Sequence, residues 1–172
     1  VEVHTLEAVE QVLGVRGVRA HVLGEALRGI EAVANYWLAK VAGEGLELTL
    51  DPYSEKASGG VSDAIALKVA GAGGGFGYKA ASGGERRRID IALLLALAEV
   101  SQAASGRDGQ GTLFFDEVFD ALDGEGAGAV CAALAELAQT RCVVVISHSS
   151  TLVETLQPTL RLHVKGGRVT TG

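Results

Sequence analysis

The chain has 172 residues, 48% apolar and 21% charged, enough for a buried core and a composition unlike that of a disordered segment. Fifteen basic residues stand against 21 acidic ones, a formal net charge of −6, which argues against a nucleic-acid binder that works by bulk positive charge. No apolar run approaches the ~18 residues needed to span a membrane, and Val1-Glu2-Val3-His4 shows no secretory signal.

Cys131 and Cys142 form no CxxC or other metal spacing and fit a reduced, cytosolic compartment. There are 24 glycines and no methionine, so a chain that begins at Val1 reads as a fragment, a processed product or an engineered piece of a longer protein.

Leu6, Val9 and Leu13 predict a first short helix, interrupted at Gly14-Val15-Arg16-Gly17. A stronger helix follows, with Val22, Leu23, Leu27, Ile30, Ala34, Trp37, Leu38 and Val41 on one stripe. It reads as a helix docked on a domain or as the end of a coiled coil, the docked helix being the simpler case. The period then changes to two. Leu46, Leu48 and Leu50, then Ile65, Leu67 and Val69, predict strands with one covered face.

Gly71 to Gly77 (GAGGGFG) reads as a hairpin or flexible turn leading to a short strand around Tyr78. It reads less well as a phosphate cradle, because no helix with a Lys-Ser/Thr pair follows. A long helix over 85–104 is predicted to be buried nearly all round, since Ile91, Leu94 and Leu95 are apolar besides the Ile89, Leu93, Ala96, Leu97 and Val100 face.

After a loop over 105–111, Thr112 to Phe115 is a short apolar strand ending in Asp116-Glu117. The stretch 124–139 is a helix with Val130, Leu134 and Leu137 inward. Cys142 to Ser147 has the continuous apolar character of a central parallel strand covered on both faces, and His148 follows it. Residues 161–170 predict a hairpin turning at Gly166-Gly167. The expected fold is α/β, a parallel βαβ core preceded by an antiparallel portion and N-terminal helices.

Four groups carry the chemistry. Ser82-Gly83-Gly84-Glu85 opens the long helix, where backbone N–H groups and the helix dipole suit an anionic oxygen. Asp116 ends a buried strand, where a carboxylate can hold Mg²⁺ through water. Glu117 points to the other side and can orient or deprotonate a water. Asp120 and Asp123 follow, and His148 ends the neighbouring strand at the crevice where α/β sheets bind ligands. Each has a plainer reading alone: a glycine-containing N-cap, a polar strand end, a helix cap, a loop histidine. Their joint order favours function.

This order resembles the C-terminal lobe of an ABC-type ATPase head, with SGGE as the signature motif, LFFDE as Walker B, DALD as the D-loop and His148 as the switch histidine. The DEVFDALD run and Glu85, where transporters carry Gln, are similar to the ATPases of DNA-repair and recombination exonucleases, SbcC-like and related to SMC proteins. Ala81 departs from the usual Leu of the signature.

The resemblance implies ATP and Mg²⁺ as cofactors and a sandwich of two heads. Asp116 would hold Mg²⁺, Glu117 would activate water and His148 would contact the γ-phosphate. Ser82, Gly83, Gly84 and Glu85 would face the nucleotide of the opposite head, and Asp120 and Asp123 would couple the two sites. It implies that residues 1–41 are a helical arm, the end of a coiled coil, and that residues 42–172 are the ATPase lobe. It implies a nuclease subunit and DNA as partners through the complex, no membrane, and a cytoplasmic, nucleoid-associated location.

No GxxxxGK[ST] stretch occurs in the sequence. The chain alone is therefore expected to bind ATP poorly, with a Walker A lobe supplied upstream in the same protein or as a separate chain. Alternatives are an SMC-type chromosome-maintenance ATPase, a transporter ATPase and a non-catalytic docking module. Arg86, Arg87 and Arg88 oppose the dipole in the first turn of the signature helix. They read as a solvated face paired with Glu85 or Asp90, or as positive potential near the opposite head's phosphate or against the missing lobe.

Overall fold

The computed structural model describes residues 9, 12–14, 17–55, 59, 61–62, 64–71, 77–106, 111–119, 122 and 124–172. The predicted first helix and the glycine run 71–77 lie largely outside these residues, as do Asp120 and Asp123. In chain order the elements are α1 (Val18–Ala42), β1 (Glu47–Asp51), β2 (Ser54–Glu55), β3 (Val61–Ser62), β4 (Ala66–Ala70), a 3₁₀ turn (Tyr78–Ala80) and α2 (Gly83–Ala104). There follow β5 (Thr112–Asp116), α3 (Gly124–Leu137), β6 (Cys142–Ile146), α4 (Ser150–Thr155), β7 (Leu162–Lys165) and β8 (Arg168–Thr171).

The apolar stripe of α1 divides along its length. Val18, Val22 and Leu23 remain exposed, whereas Leu27, Ala34, Trp37, Leu38 and Val41 are buried, and the helix packs on α2 and α3. Trp37 is 3% exposed, and its indole N–H donates to Glu99 Oε2 at 3.0 Å. Arg141 faces the same carboxylate at 3.6 Å and donates to Gln102 Oε1 at 2.7 Å, which ties the start of β6 to α2. On the surface, Tyr36 and Lys40 both donate to the Glu136 carboxylate and join α1 to α3. The Lys40 bond holds Glu136 below the usual carboxylate range, and the same bond raises Lys40.

Strands β1 and β4 pair antiparallel, with Leu48 opposite Val69 and Leu50 opposite Leu67. Leu48 and Val69 are buried while Glu47 and Lys68 face solvent, as the period-two pattern predicts. The other edge of β1 is covered by α1. Asn35 donates to the Leu48 carbonyl at 2.8 Å and accepts the Leu48 N–H at 2.9 Å, and Glu31 accepts the Leu50 N–H at 2.7 Å. Two polar side chains thus satisfy backbone groups that would otherwise invite another strand.

Gly71 ends β4 with φ 85°, and a Cβ there would collide with the Gly45 carbonyl oxygen, so only glycine fits. The strand predicted around Tyr78 is instead the 3₁₀ turn. Gly77 closes onto Val69 O at 2.8 Å with φ 100°, which swings the chain off the β4 line towards α2. Tyr78 then donates its hydroxyl to Asp90 at 2.8 Å, and that bond raises the phenol above its ordinary value.

Strands β5 and β6 are parallel, with Thr112 opposite Cys142 and Asp116 opposite Ile146. The crossover is α3, whose Val130, Cys131, Leu134 and Leu137 are buried. Burial pushes the Cys131 thiol up, so it stays protonated and serves as packing. This is the βαβ core expected from the sequence.

Two expectations of burial fail. Helix α2 is not covered all round: Leu97 is 50% exposed, and Ile89, Ile91, Ala92, Leu95 and Ala96 form its buried side. The parallel pair is not covered on both faces: Phe114 is 69% exposed and Ile146 49%. The hairpin β7–β8 turns at Gly166 and Gly167, with φ 57° and 73°, and presents Leu162, Val164 and Val169 to solvent.

Candidate functional site

Helix α2 begins at a complete capping box. Ser82 Oγ accepts the Glu85 N–H at 3.2 Å, and Glu85 Oε2 accepts the Ser82 N–H at 2.7 Å. Serine followed three residues later by glutamate is the sequence signal for this arrangement. Ala81, just before the cap, is buried, while Ser82, Gly83 and Gly84 are exposed. The first N–H groups of any helix lack intrahelical partners, so Gly83 and Gly84 offer two donors at the positive end of a 22-residue helix. No side chain hinders approach to either glycine.

Glu85 thereby has a role that needs no ligand: its carboxylate is engaged with the backbone at the cap. Replacing Ser82 with Ala is expected to cost about 1 kcal/mol of stability, read as a lower thermal midpoint. Glu85→Gln, which keeps a side-chain acceptor, should cost less.

The second half of the site lies at the carboxyl ends of β5 and β6. Asp116 and Ile146 are register partners, so the residues after each strand leave the sheet side by side. Glu117 donates its N–H to Ile146 O at 2.9 Å, extending the ladder by one bond. Glu117 then turns out of the strand with φ 53°, the one non-glycine residue in the left-handed region among the described residues. This turn brings its carboxylate to His148, with Nδ1 to Oε1 at 3.2 Å.

Both side chains are exposed, as is Asp116. Beyond His148, Ser149 caps α4 by accepting the Leu152 N–H at 3.4 Å, and buried Leu152 fixes that helix. The histidine thus sits between a strand end and a helix cap. Phe119, two residues past Glu117, is buried with its ring 5.3 Å from that of Phe115. That anchor stops the turn from drifting.

The structure therefore unites Glu117 with His148 and places Asp116 next to them. Ser82 and Glu85 pair with each other at the start of α2. Asp120 and Asp123 lie outside the described residues. Sequence reasoning did not identify one connection: Arg87 donates from its guanidinium to the Val118 carbonyl. Its signal was the basic run Arg86-Arg87-Arg88, placed against the dipole.

Among the described residues no group of three or more His, Cys, Asp and Glu side chains could hold a metal by itself. Mg²⁺ keeps several waters and takes one or two carboxylates together with phosphate oxygens, so Asp116 beside Glu117 suits Mg²⁺ that arrives with a nucleotide. No described helix is long and apolar enough to cross a membrane.

Residues 76–136, from the 3₁₀ turn through Walker B into α3, match the family described as SbcC/RAD50-like, Walker B motif. Over 151 residues the chain is 36% identical to the SbcC component of the nuclease SbcCD of Vibrio cholerae serotype O1. That match covers 86% of this chain and 14% of the Vibrio protein, so the chain spans a small part of its relative's length.

Among solved structures, a chain from the structural biochemistry of ATP-driven dimerization and DNA-stimulated activation of SMC ATPases shares the fold. Its TM-score is 0.65 at 18% identity, covering 89% of this chain and 88% of that one. An Smc head domain with an extended coiled coil, bound to the C-terminal domain of ScpA and derived from Pyrococcus furiosus, gives 0.58 at 19% identity, covering 89% and 36%. The Walker B match and the Vibrio relative make the chain a lobe of the SbcC/RAD50-like family, and it has the fold of SMC ATPase heads.

Proposed function

We propose that this lobe supplies the hydrolytic half of a composite ATP site in the ATPase subunit of a DNA double-strand-break repair or recombination exonuclease. The observation that carries the reading is the Glu117–His148 pair, 3.2 Å apart at the ends of two parallel strands and adjacent to Asp116. Asp116 would hold Mg²⁺ through water. Glu117 takes a proton from the attacking water, and His148 orients that carboxylate and faces the γ-phosphate. Bound Mg²⁺ would supply positive charge against the phosphoryl group of the nucleotide. Ser82, Gly83 and Gly84 close over the γ-phosphate bound to a second head, so nucleotide drives head association. Asp120 and Asp123 connect the two sites.

The β-phosphate cradle comes from a Walker A lobe, upstream in the same protein or as a separate chain. The exposed Phe114 and Ile146, on one face of the β5–β6 pair, support this, since a second lobe would cover them. The exposed Val18, Val22 and Leu23 support an arm in α1 that continues into a coiled coil. A nuclease subunit and DNA are the partners of the complete complex, which works in the cytoplasm at the nucleoid. The likeness to Smc heads keeps a chromosome-maintenance ATPase as the second reading; a hinge domain within the coiled coil of the full protein would favour it.

The test is Mg²⁺-dependent ATP turnover of this chain alone and co-expressed with a lobe carrying Walker A. Turnover confined to the mixture, with ATP-dependent association of heads, is expected. Absence of both in every combination would overturn the proposal in favour of a docking module.

A further inference from the structure

Arg87 lies five positions after Ser82 on α2, the helix that presents the signature backbone. Its guanidinium leaves that helix and donates to the Val118 carbonyl, immediately after Glu117. The arginine is half-buried, and its Nε is enclosed without a hydrogen-bond partner among the described residues. An arginine held in such surroundings pays a desolvation cost, which its charge-assisted bond to the carbonyl must offset. A merely solvated basic residue would carry no such cost; Arg86, its neighbour, is exposed.

Glu117 needs holding. A non-glycine residue in the left-handed region is strained and persists only where its surroundings determine it. Three anchors surround it. Its N–H is fixed to Ile146 O at 2.9 Å on β6, and Phe119 is fixed in the core. The third, the Val118 carbonyl, is held by Arg87. The first two anchors belong to the sheet and core around Glu117 itself. Arg87 reaches this turn from the signature helix by a directional hydrogen bond.

We propose, resting on the reading of Glu117 as the water-activating group, that Arg87 is a positioning residue. It makes the backbone of Glu117 depend on where α2 sits. When the signature helix is seated, the Val118 carbonyl is held and the carboxylate stays beside His148. A shift of α2 releases the carbonyl, Glu117 relaxes out of its left-handed conformation, and hydrolysis slows while nucleotide stays bound. The basic run at the helix start thus has an internal use: one of its three arginines couples the surface that faces the opposite head to hydrolysis in its own head.

The experiment compares wild type, Arg87→Gln, Arg87→Lys and Glu117→Gln in the full-length protein. It measures kcat, KM for ATP, ATP-dependent association and amide hydrogen exchange at Glu117 and Val118. Arg87→Gln is expected to lower kcat about 10- to 100-fold through misplacement. KM and association should be unchanged, and exchange at Glu117 should quicken about tenfold, the loss of one local bond worth about 1.4 kcal/mol. Arg87→Lys keeps a charged donor and should recover at least part of both effects. If Arg87→Gln does not fold, Arg87→Met, which keeps the packed stem and no donor, takes its place with the same expectation.

Wild-type kcat overturns the proposal. So does a raised KM at unchanged kcat, which would mark a nucleotide contact, and so do a lower kcat with unchanged exchange and a lysine variant that recovers nothing. Full turnover by Glu117→Gln would instead overturn the underlying assignment of Glu117. The exchange measurement still judges whether Arg87 holds the turn.

Discussion

Glu117→Gln is expected to lower ATP turnover about 10²- to 10⁴-fold, the range for losing a positioned general base, while ATP-driven association of heads survives. Glutamine has the size of glutamate, tolerates the same backbone and keeps an oxygen within reach of His148, 3.2 Å away in the wild type. What it lacks is basicity. The expected result is a head that binds nucleotide and stays closed, seen as a long-lived ATP-bound dimer with little phosphate released. His148→Ala should also slow turnover. The double variant should be little worse than Glu117→Gln, because contacting groups that act as a unit are not additive. If Glu117→Gln and His148→Ala multiply independently, the two side chains do not work together, and the pairing seen at the strand ends is incidental.

The second large effect concerns the fold. Trp37→Ala is expected to cost about 3–5 kcal/mol, the range for emptying a large aromatic site in a core. Trp37 is 3% exposed among residues of α1 and α2, and its loss would also strip Glu99 of its indole donor. Trp37→Phe separates the two contributions. It keeps most of the packing and removes only the N–H, so about 1–2 kcal/mol should be lost. Unfolding followed by far-UV circular dichroism reads both variants, since Trp37 is the single tryptophan and its fluorescence disappears with it. Equal losses for the two variants would mean that the bond to Glu99, not the packing, fixes α1 on α2.

What the sequence made legible was local and periodic. The alternation around Leu48 and Val69 appears as a register pair, Ser82 and Glu85 as a capping box, and the apolar runs before Asp116 and His148 as adjacent parallel strands. Each of these follows from residue type and spacing alone. Three things did not. Hydropathy shows what tends to be buried but not whether this chain contains the atoms to cover it, so the exposure of Phe114, Leu97 and Ile146 was not foreseen. The left-handed backbone of Glu117 is an arrangement its residue type disfavours, and only the bonds around it explain it. The partner of Arg87 lies 31 residues away, beyond the reach of any helical or strand period.

The positive φ at Glu117 also sets the terms on which this sequence can change. Glycine takes that conformation without strain, so, on the proposed role of Glu117, the residue best for folding and the residue best for hydrolysis differ at this position. A library selected for heat resistance alone would drift towards glycine at position 117, and, on the proposed role of Glu117, one selected for the activity of the complete protein would drift back. The conflict between the two selections would mark the site without any assay of phosphate release.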